Sequence, residues 1–266
     1  MHARTLVAVT LLMGAVALPA PAWSQATKDQ ARLVFTVSGG MVVGGHLWSV
    51  DNEPVQFTTL ADTFAIGRRI RSTVAVGFGG IYFPREHFGL SVEGFLIGLG
   101  FEDSCRLVFS SGSGDAATTC LSIQGATKSA TAVTLSAGPV FRLNSNSLIS
   151  PYARANLGLV ISNQSSLRTI GRFPTALGTA ERTIFADDHD SRIAPSLALG
   201  AGFTAAVAKG YQLRWEVRDN IVGVQRVTGT TPQSELVPPH ELTYKHLFSL
   251  TIGFDVVLER RRGRRY

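Results

Sequence analysis

Charge is scarce in this chain of 266 residues: 17% are Asp, Glu, Lys or Arg, against roughly 25% in ordinary soluble domains. Since 45% are hydrophobic, a disordered chain is excluded. Cysteine is scarcer still, with two residues, too few for a small module built on disulfides. Beyond the N-terminus no apolar stretch reaches the roughly 18 residues of a membrane-spanning helix, so helical spans are excluded as well. Yet mean hydropathy is +0.17, which implies that something other than water covers part of the surface. The net charge of +6 is not a nucleic-acid signal. Arg260, Arg261, Arg262, Arg264 and Arg265 against Glu259 carry +4 of it in the last eight residues, a basic tail (259–266) suited to anionic lipid headgroups, to a cell-wall polymer or to no partner at all.

Residues 1–26 read as a secretory signal, with His2 and Arg4 before an apolar run from Leu6 to Leu18 and small residues at Ser24 and Ala26. Cleavage is expected after Ala26, and a cut after Ala22 fits as well. Cys105 and Cys120, 15 positions apart in a Gly/Ser-rich segment, are expected to oxidise outside the cytoplasm. Closing such a loop is worth about 3 kcal/mol in the chain-entropy model.

From residue 32 onward apolar side chains alternate with small or polar ones. Eight segments carry this pattern: 33–43, 73–83, 88–101, 131–143, 150–162, 192–207, 211–222 and 245–258. Each is as long as the roughly 9 to 11 residues that a tilted strand needs to cross a bilayer. The connections between them run long, short, long, short, long, short, long. In an up-and-down barrel successive connections fall on opposite rims, so all long loops gather at one end. An all-β, eight-stranded antiparallel transmembrane barrel over 27–258 follows, or ten strands if 52–72 or 223–244 holds a further hairpin.

Alternation alone does not say which face meets lipid. Phe248, Leu250, Ile252, Phe254, Val256 and Leu258 share one face of the last segment. The opposite faces of the fourth and sixth are almost all Gly, Ala, Ser and Thr: Ala132, Thr134, Ser136, Gly138, and Ser196, Ala198, Gly200, Gly202, Thr204. Such small residues suit a crowded lumen, whereas water-facing strands are rich in Lys and Glu. A periplasmic lipocalin-like carrier, with its bulky face inward, is the alternative. Tyr82, Phe83, Phe88, Phe141, Tyr152 and Tyr211 gather beside the short turns, where an interfacial girdle is expected.

With Pro151-Tyr152-Ala153-Arg154, Arg214-Trp215-Glu216-Val217-Arg218-Asp219 and the terminal Thr251-Ile252-Gly253-Phe254-Asp255-Val256-Val257-Leu258, the chain resembles the small outer-membrane β-barrel proteins of Gram-negative bacteria. That group includes the transmembrane domain of OmpA. The resemblance implies an outer-membrane address, lipid and lipopolysaccharide as surroundings, and the assembly machinery as a transient partner. That machinery would read Thr251, Gly253, Val256 and Leu258. The family usually closes its last strand with an aromatic residue, where this chain has Leu258, and no peptidoglycan-binding domain follows.

A polar lumen would hold Glu93, Arg142, Arg154, Arg214, Glu216, Arg218 and Asp255, mostly near the short turns. Glu93 is expected to reach Arg214 or Arg218 across the barrel, because unpaired ions in a poorly hydrated interior are costly. This network reads as a structural plug, with an ion pathway as the alternative. Catalysis finds little support, since His46, His87, His240 and His246 stand in no recognisable nucleophile arrangement. Asp187-Asp188-His189-Asp190 lacks the spacing of a calcium loop and reads as a solvated acidic patch. No metal or cofactor is expected, and a nucleotide fingerprint is rejected because the Gly pairs at 98/100 and 200/202 open no helix. The expected role is non-catalytic: membrane integrity, surface interaction through the loops, whose ligand is unknown, or narrow porin-like solute passage. A lipid-modifying enzyme of the same architecture is the alternative.

Overall fold

Thirteen elements follow one another in the computed structural model: β1 (Arg32–Val42), β2 (His46–Gln56), β3 (Ala61–Ile70), β4 (Thr73–Phe83), β5 (Phe88–Phe109), α1 (Gly114–Ile123), β6 (Thr127–Arg142), β7 (Ile149–Ser162), β8 (Thr169–Thr175), β9 (Gly178–Phe185), β10 (Arg192–Ala208), β11 (Tyr211–Val227) and β12 (His240–Glu259). The described residues are 32–57, 61–112, 114–143, 147–163, 165–187, 189, 192–232 and 235–259. The signal segment, the arginine tail from Arg260, the turn Asn144–Asn146, and Asp188 and Asp190 lie outside them.

Eight of the strands form a ring in which each pairs antiparallel with two neighbours. The order is β1, β4, β5, β6, β7, β10, β11, β12 and back to β1. No ring strand is left with an open edge along its whole length, which is how a sheet in lipid satisfies its peptide groups. The short turns need tight chemistry. Between β10 and β11 the chain reverses at Lys209-Gly210, with Gly210 at φ 82°, a left-handed conformation that glycine adopts without steric cost.

Strand parity sorts the side chains as the alternation requires. On β12, Phe248, Leu250, Ile252, Phe254 and Leu258 are exposed, while Ser249, Thr251 and Asp255 are buried inside. The same outward belt recurs on β5 in Phe88, Leu90, Val92 and Leu96, and on β1 in Leu33, Phe35 and Val37. From Phe248 to Leu258 the belt spans about 33 Å of strand, or about 25 Å of height at the usual tilt. That matches the hydrocarbon band of an outer-membrane barrel, so this exterior faces lipid.

Several expectations need correction. A further hairpin does exist in the first long connection, as β2 and β3, but it does not enter the ring. Its β3 pairs instead with the far end of β5, Thr63 with Phe109 and Ile70 with Phe101. Residues 223–244 hold no extra hairpin among the described residues; their two ends prolong β11 to Val227 and start β12 at His240. The third long connection folds into the separate β8–β9 ribbon, and the cysteine segment contains α1. The girdle is incomplete: Tyr82, Phe88, Phe141 and Tyr211 face outward, but Phe83 and Tyr152 sit on the other parity and are buried in the lumen.

Candidate functional site

The lumen is layered. At the short-turn end Val34, Ile81, Phe83, Val140 and Tyr152 form a small apolar cluster. Above it β11 points Arg214, Glu216 and Arg218 inward on alternate residues, opposite Glu93 of β5 and Arg154 of β7. Three carboxylates meet three guanidiniums. Glu93 receives Arg218 Nη2 at 2.6 Å and lies 3.2 Å from Arg154 Nη1. Glu216 Oε1 accepts from Arg154 Nη2 at 2.7 Å and Arg218 Nε at 2.9 Å, and its Oε2 from the Tyr152 hydroxyl at 2.5 Å. Asp255 binds Arg214 Nη2 at 2.7 Å and also accepts from the Thr36 hydroxyl.

Glu93 therefore bonds Arg218 and Arg154, while Arg214 is taken by Asp255. Arg142 stands apart from the network. Its guanidinium lies 3.8 Å over the Phe83 ring and donates from Nε to the Glu86 carbonyl at the short-turn end of β6. The small residues opposite are a steric necessity. A Cβ at Gly200 would stand 2.6 Å from Glu216 Oε1, well inside contact distance. Beside Arg214 and Asp255 the remaining void is about 20 Å³, room for about one water molecule.

Higher up, the lumen is apolar again, with Phe95, Ile97, Leu99 and Phe101 of β5 in a core that continues into the long connections. There the structure holds a second buried ion pair. Arg68 of β3, whose side chain is 0% exposed, binds Asp103 of the β5 extension with Nε–Oδ1 at 2.5 Å. The same guanidinium donates to the carbonyls of Ser166 and Arg168, both at 2.8 Å, and lies over Trp48 and Phe101. Trp48 Nε1 also donates to Ser166. Three long connections are thus tied into one cap, which Cys105 and Cys120 fasten to α1 through a disulfide with Cα atoms 5.3 Å apart. A signal existed for this pair: Asp62, Phe64, Ile66, Arg68 and Ile70 alternate with period two, and all five are buried.

Two further cap groups have shifted ionisation. Burial, reinforced by Arg68 and partly opposed by Asp103, pushes the Lys128 ammonium down to about 8. Burial of the Glu53 carboxyl outweighs its hydrogen bonds from Thr231 and raises its pKa. The acidic patch is corrected in part. Asp187 has a side chain only 2% exposed and pairs with Arg192 at 2.7 Å. Burial opposes its charge, but hydrogen bonds from Ser165, Arg192 and the His189 amide prevail and hold the carboxyl below its usual range.

Among the histidines, His87 Nδ1 meets the Arg142 carbonyl and His240 Nδ1 that of Pro238. His246 lies 2.7 Å from Asp219 on the lipid-facing side, at the long-loop edge of the belt. Their outward neighbours on β11 and β12 are Val217, Ile221, Tyr244 and Phe248, with no Ser, Thr or Cys. Thr251 and Gly253 of the assembly signal point inward and Val256 and Leu258 outward, with Leu258 opposite Leu33 of β1. Among the described residues no three His, Cys, Asp or Glu side chains converge on a metal position.

The fold is that of a small membrane-spanning β-barrel. The chain is similar to the outer membrane protein OprG from Pseudomonas aeruginosa (TM-score 0.48, 9% identity, covering 87% of this chain and 98% of that one). It is also similar to Neisserial surface protein A (0.39, 11%, 86% and 99%) and to Ail, the attachment invasion locus protein of Yersinia pestis (0.37, 13%, 85% and 99%). No protein-family model and no curated protein sequence matches it.

Proposed function

We propose that this outer-membrane barrel is a non-catalytic, sealed platform whose work is done by its cap. The observation that carries this is the filled lumen: an apolar layer, a neutralised ionic layer and a second apolar layer succeed one another from end to end. A conduit would need a continuous wet path. In this reading residues 1–26 are a removed leader, the barrel occupies 27–258, and the basic tail 259–266 lies in the periplasm with the short turns. The long connections then face outward beside lipopolysaccharide, as a surface for interaction. β12, with Thr251, Gly253, Val256 and Leu258, would be the segment offered to the assembly machinery. Purified protein in planar bilayers is expected to give no discrete current steps, and sustained steps from the wild-type chain would refute a sealed lumen.

One observation favours a second reading, a lipid-modifying enzyme: the His246–Asp219 pair at the lipid interface. It lacks a neighbouring nucleophile on its own strands, and lipid A mass spectra with and without the protein are expected to be identical. A mass change abolished by His246→Ala would establish the enzyme instead.

A further inference from the structure

The sheet that β3 forms with β2 and the β5 extension has two faces, and the Arg68–Asp103 pair belongs to the inner one. The outer face is laid out in rows. Ser49, Gly67 and Ser104 stand opposite one another on β2, β3 and β5. In the next row away from the membrane Ala65 faces Arg106, and a bulge sets Asp51 and Asn52 against Ala65 alone. Bulges re-aim side chains, and this one brings Asp51 to the outer face beside Ser49. In the row nearer the membrane Arg69 lies against Glu102 at 2.9 Å and forms a wall. Because Gly67 and Ala65 occupy the centre, a trough of about 440 Å³ runs across the three strands to Gln124. A Cβ at Gly67 would stand 2.9 Å from Ser104 Oγ, so the floor is open only because glycine is there.

The polar groups of the trough are not paired with the protein. Other exposed charges beyond the lipid belt bond to one another, Arg69 to Glu102, Arg172 to Glu181 and Arg226 to Glu241. In the trough the side chains of His46, Ser49, Asp51, Ser104, Arg106 and Gln124 are exposed and have no hydrogen-bond or ionic partner among the described residues. Geometry keeps the two charges apart. Asp51 and Arg106 stand on the outer strands with Ala65 between them, two strand spacings or about 10 Å, so neither satisfies the other.

We propose that this trough binds an uncharged saccharide laid across β3 from Asp51 to Arg106. Asp51 only accepts hydrogen bonds, Arg106 only donates them, and the serines and Gln124 between do both. A ligand whose every group is a hydroxyl matches all of them. The lining carries one carboxylate and one guanidinium, so it offers no net attraction to an anion. An amino acid holds both of its charges on one carbon and cannot span the gap. The volume lies within the range of ligand sites, and the flat floor at Gly67 gives a sugar ring room to lie down. Ser104 stands eight residues past Leu96 of the belt, about 26 Å along the strand and clear of the hydrocarbon. This inference deepens the platform reading and rests on it for the outward side, but binding itself is measured without reference to a sealed lumen.

The test uses the full mature chain in lipid nanodiscs, with the amide shifts of Ser49, Gly67 and Ser104 followed as maltotriose, chitobiose, glycine and inorganic phosphate are added separately. At least one of the two sugars is expected to saturate these amides, with half-saturation on the order of millimolar, while ring amides such as Thr251 stay in place. Glycine and phosphate should not saturate them. Asp51→Ala and Arg106→Ala change exposed, unpaired positions outside the ring and should each raise half-saturation roughly tenfold. Gly67→Val should abolish saturation by filling the floor. Nanodiscs with lipopolysaccharide separate the two sources of sugar: a saccharide of the surrounding leaflet competes and raises half-saturation several-fold, whereas a site kept for a free glycan leaves it unchanged. Failure of both sugars to saturate, saturation by glycine or phosphate instead, or sugar binding indifferent to both Asp51→Ala and Arg106→Ala would overturn the proposal. None of these outcomes bears on current steps, the measure of the sealed lumen.

Discussion

Among the described residues, the buried ions of the lumen and those around Arg68 in the cap are built differently. In the lumen, Glu93 of β5 and Glu216 of β11 share Arg154 of β7 and Arg218 of β11 across the ring, beside Arg214 and Asp255 paired on the neighbouring strands β11 and β12, with every partner on a strand that crosses the membrane. In the cap, Arg68 and Asp103 lie on adjacent strands β3 and β5, and the same guanidinium also donates to two backbone carbonyls and the Thr169 hydroxyl of a third connection. The first set joins opposite walls of one closed object. The second joins loops to one another. Losing a lumen ion should therefore weaken the whole barrel, whereas losing a cap ion should release only the cap.

The largest effect is expected from Glu216→Gln, which removes the charge that Arg154 and Arg218 share and leaves one acceptor oxygen where those guanidiniums and the Tyr152 hydroxyl now use two. Breaking a buried ionic set by removing one member costs about 3–5 kcal/mol. Loss of the heat-resistant folded band on gels should follow at a clearly lower temperature. Glu93→Gln should behave similarly, and a barrel as stable as wild type in both variants would remove the network from the account of stability.

Asp103→Asn comes next. It leaves the Arg68 charge buried beside Trp48 and Phe101, again at a cost of about 3 kcal/mol or more, but in the cap alone. Hydrogen exchange should accelerate in β3 and around Ser166 to Thr169 while β12 amides keep their protection. The double variant Arg68→Met, Asp103→Leu should recover most of the loss, because an apolar pair of similar volume often replaces a buried ion pair without cost. If the single variant unfolded β12 as well, the distinction between cap and barrel would fail.

Opening the disulfide is expected to act within the cap as well. Cys105→Ser with Cys120→Ser returns the freedom of a loop of 15 positions, worth about 3 kcal/mol in the entropic model and often less in practice. Increased proteolysis at α1, with an unchanged barrel core on the gel, is the outcome that keeps the two regions separate.

The smallest effects are those of pH, and two cap carboxyls should answer in opposite senses. Asp187 has a lowered pKa, so its contribution is present above the ordinary carboxylate range and lost as pH falls through its folded value. Glu53 has a raised one, so its contribution is full at low pH and lost as pH rises through its folded value. Between pH 7 and 4, with intrinsic rates corrected, the Thr231 amide that bonds Glu53 should gain protection. Below about 4 the His189 amide that bonds Asp187 should lose it. Parallel changes at both amides would contradict the assigned directions.

The barrel was legible because its evidence is local. Phe248, Leu250, Ile252 and Phe254 against Ser249, Thr251 and Asp255 show their two faces within one strand. The inward parity of Arg214, Glu216 and Arg218 follows from the same rule. Partner choice followed only in part: Glu93 takes Arg218, one of the two expected partners, and adds Arg154 in place of Arg214, because register and ring position set the distances. Tyr152 and Phe83 misled for a related reason: being near a turn fixes height, while parity alone fixes the side. In the cap, Arg68 alternates as clearly as any ring residue, but a basic side chain among the buried positions of a long connection is meaningful only once Asp103 is known to face it.

Sequence alone determined what repeats along the chain: eight amphipathic ribbons of membrane-crossing length, the alternation of long and short connections, and which side chains share a face. These are consequences of backbone geometry at each residue and need no distant partner. Tertiary structure decided what meets what: the pairing of β3 with β5, the ionic partners in lumen and cap, and the cross-strand rows that leave a trough over Gly67. Such contacts join residues far apart in the chain, and only closure of the ring and docking of the loops bring them within a few ångströms.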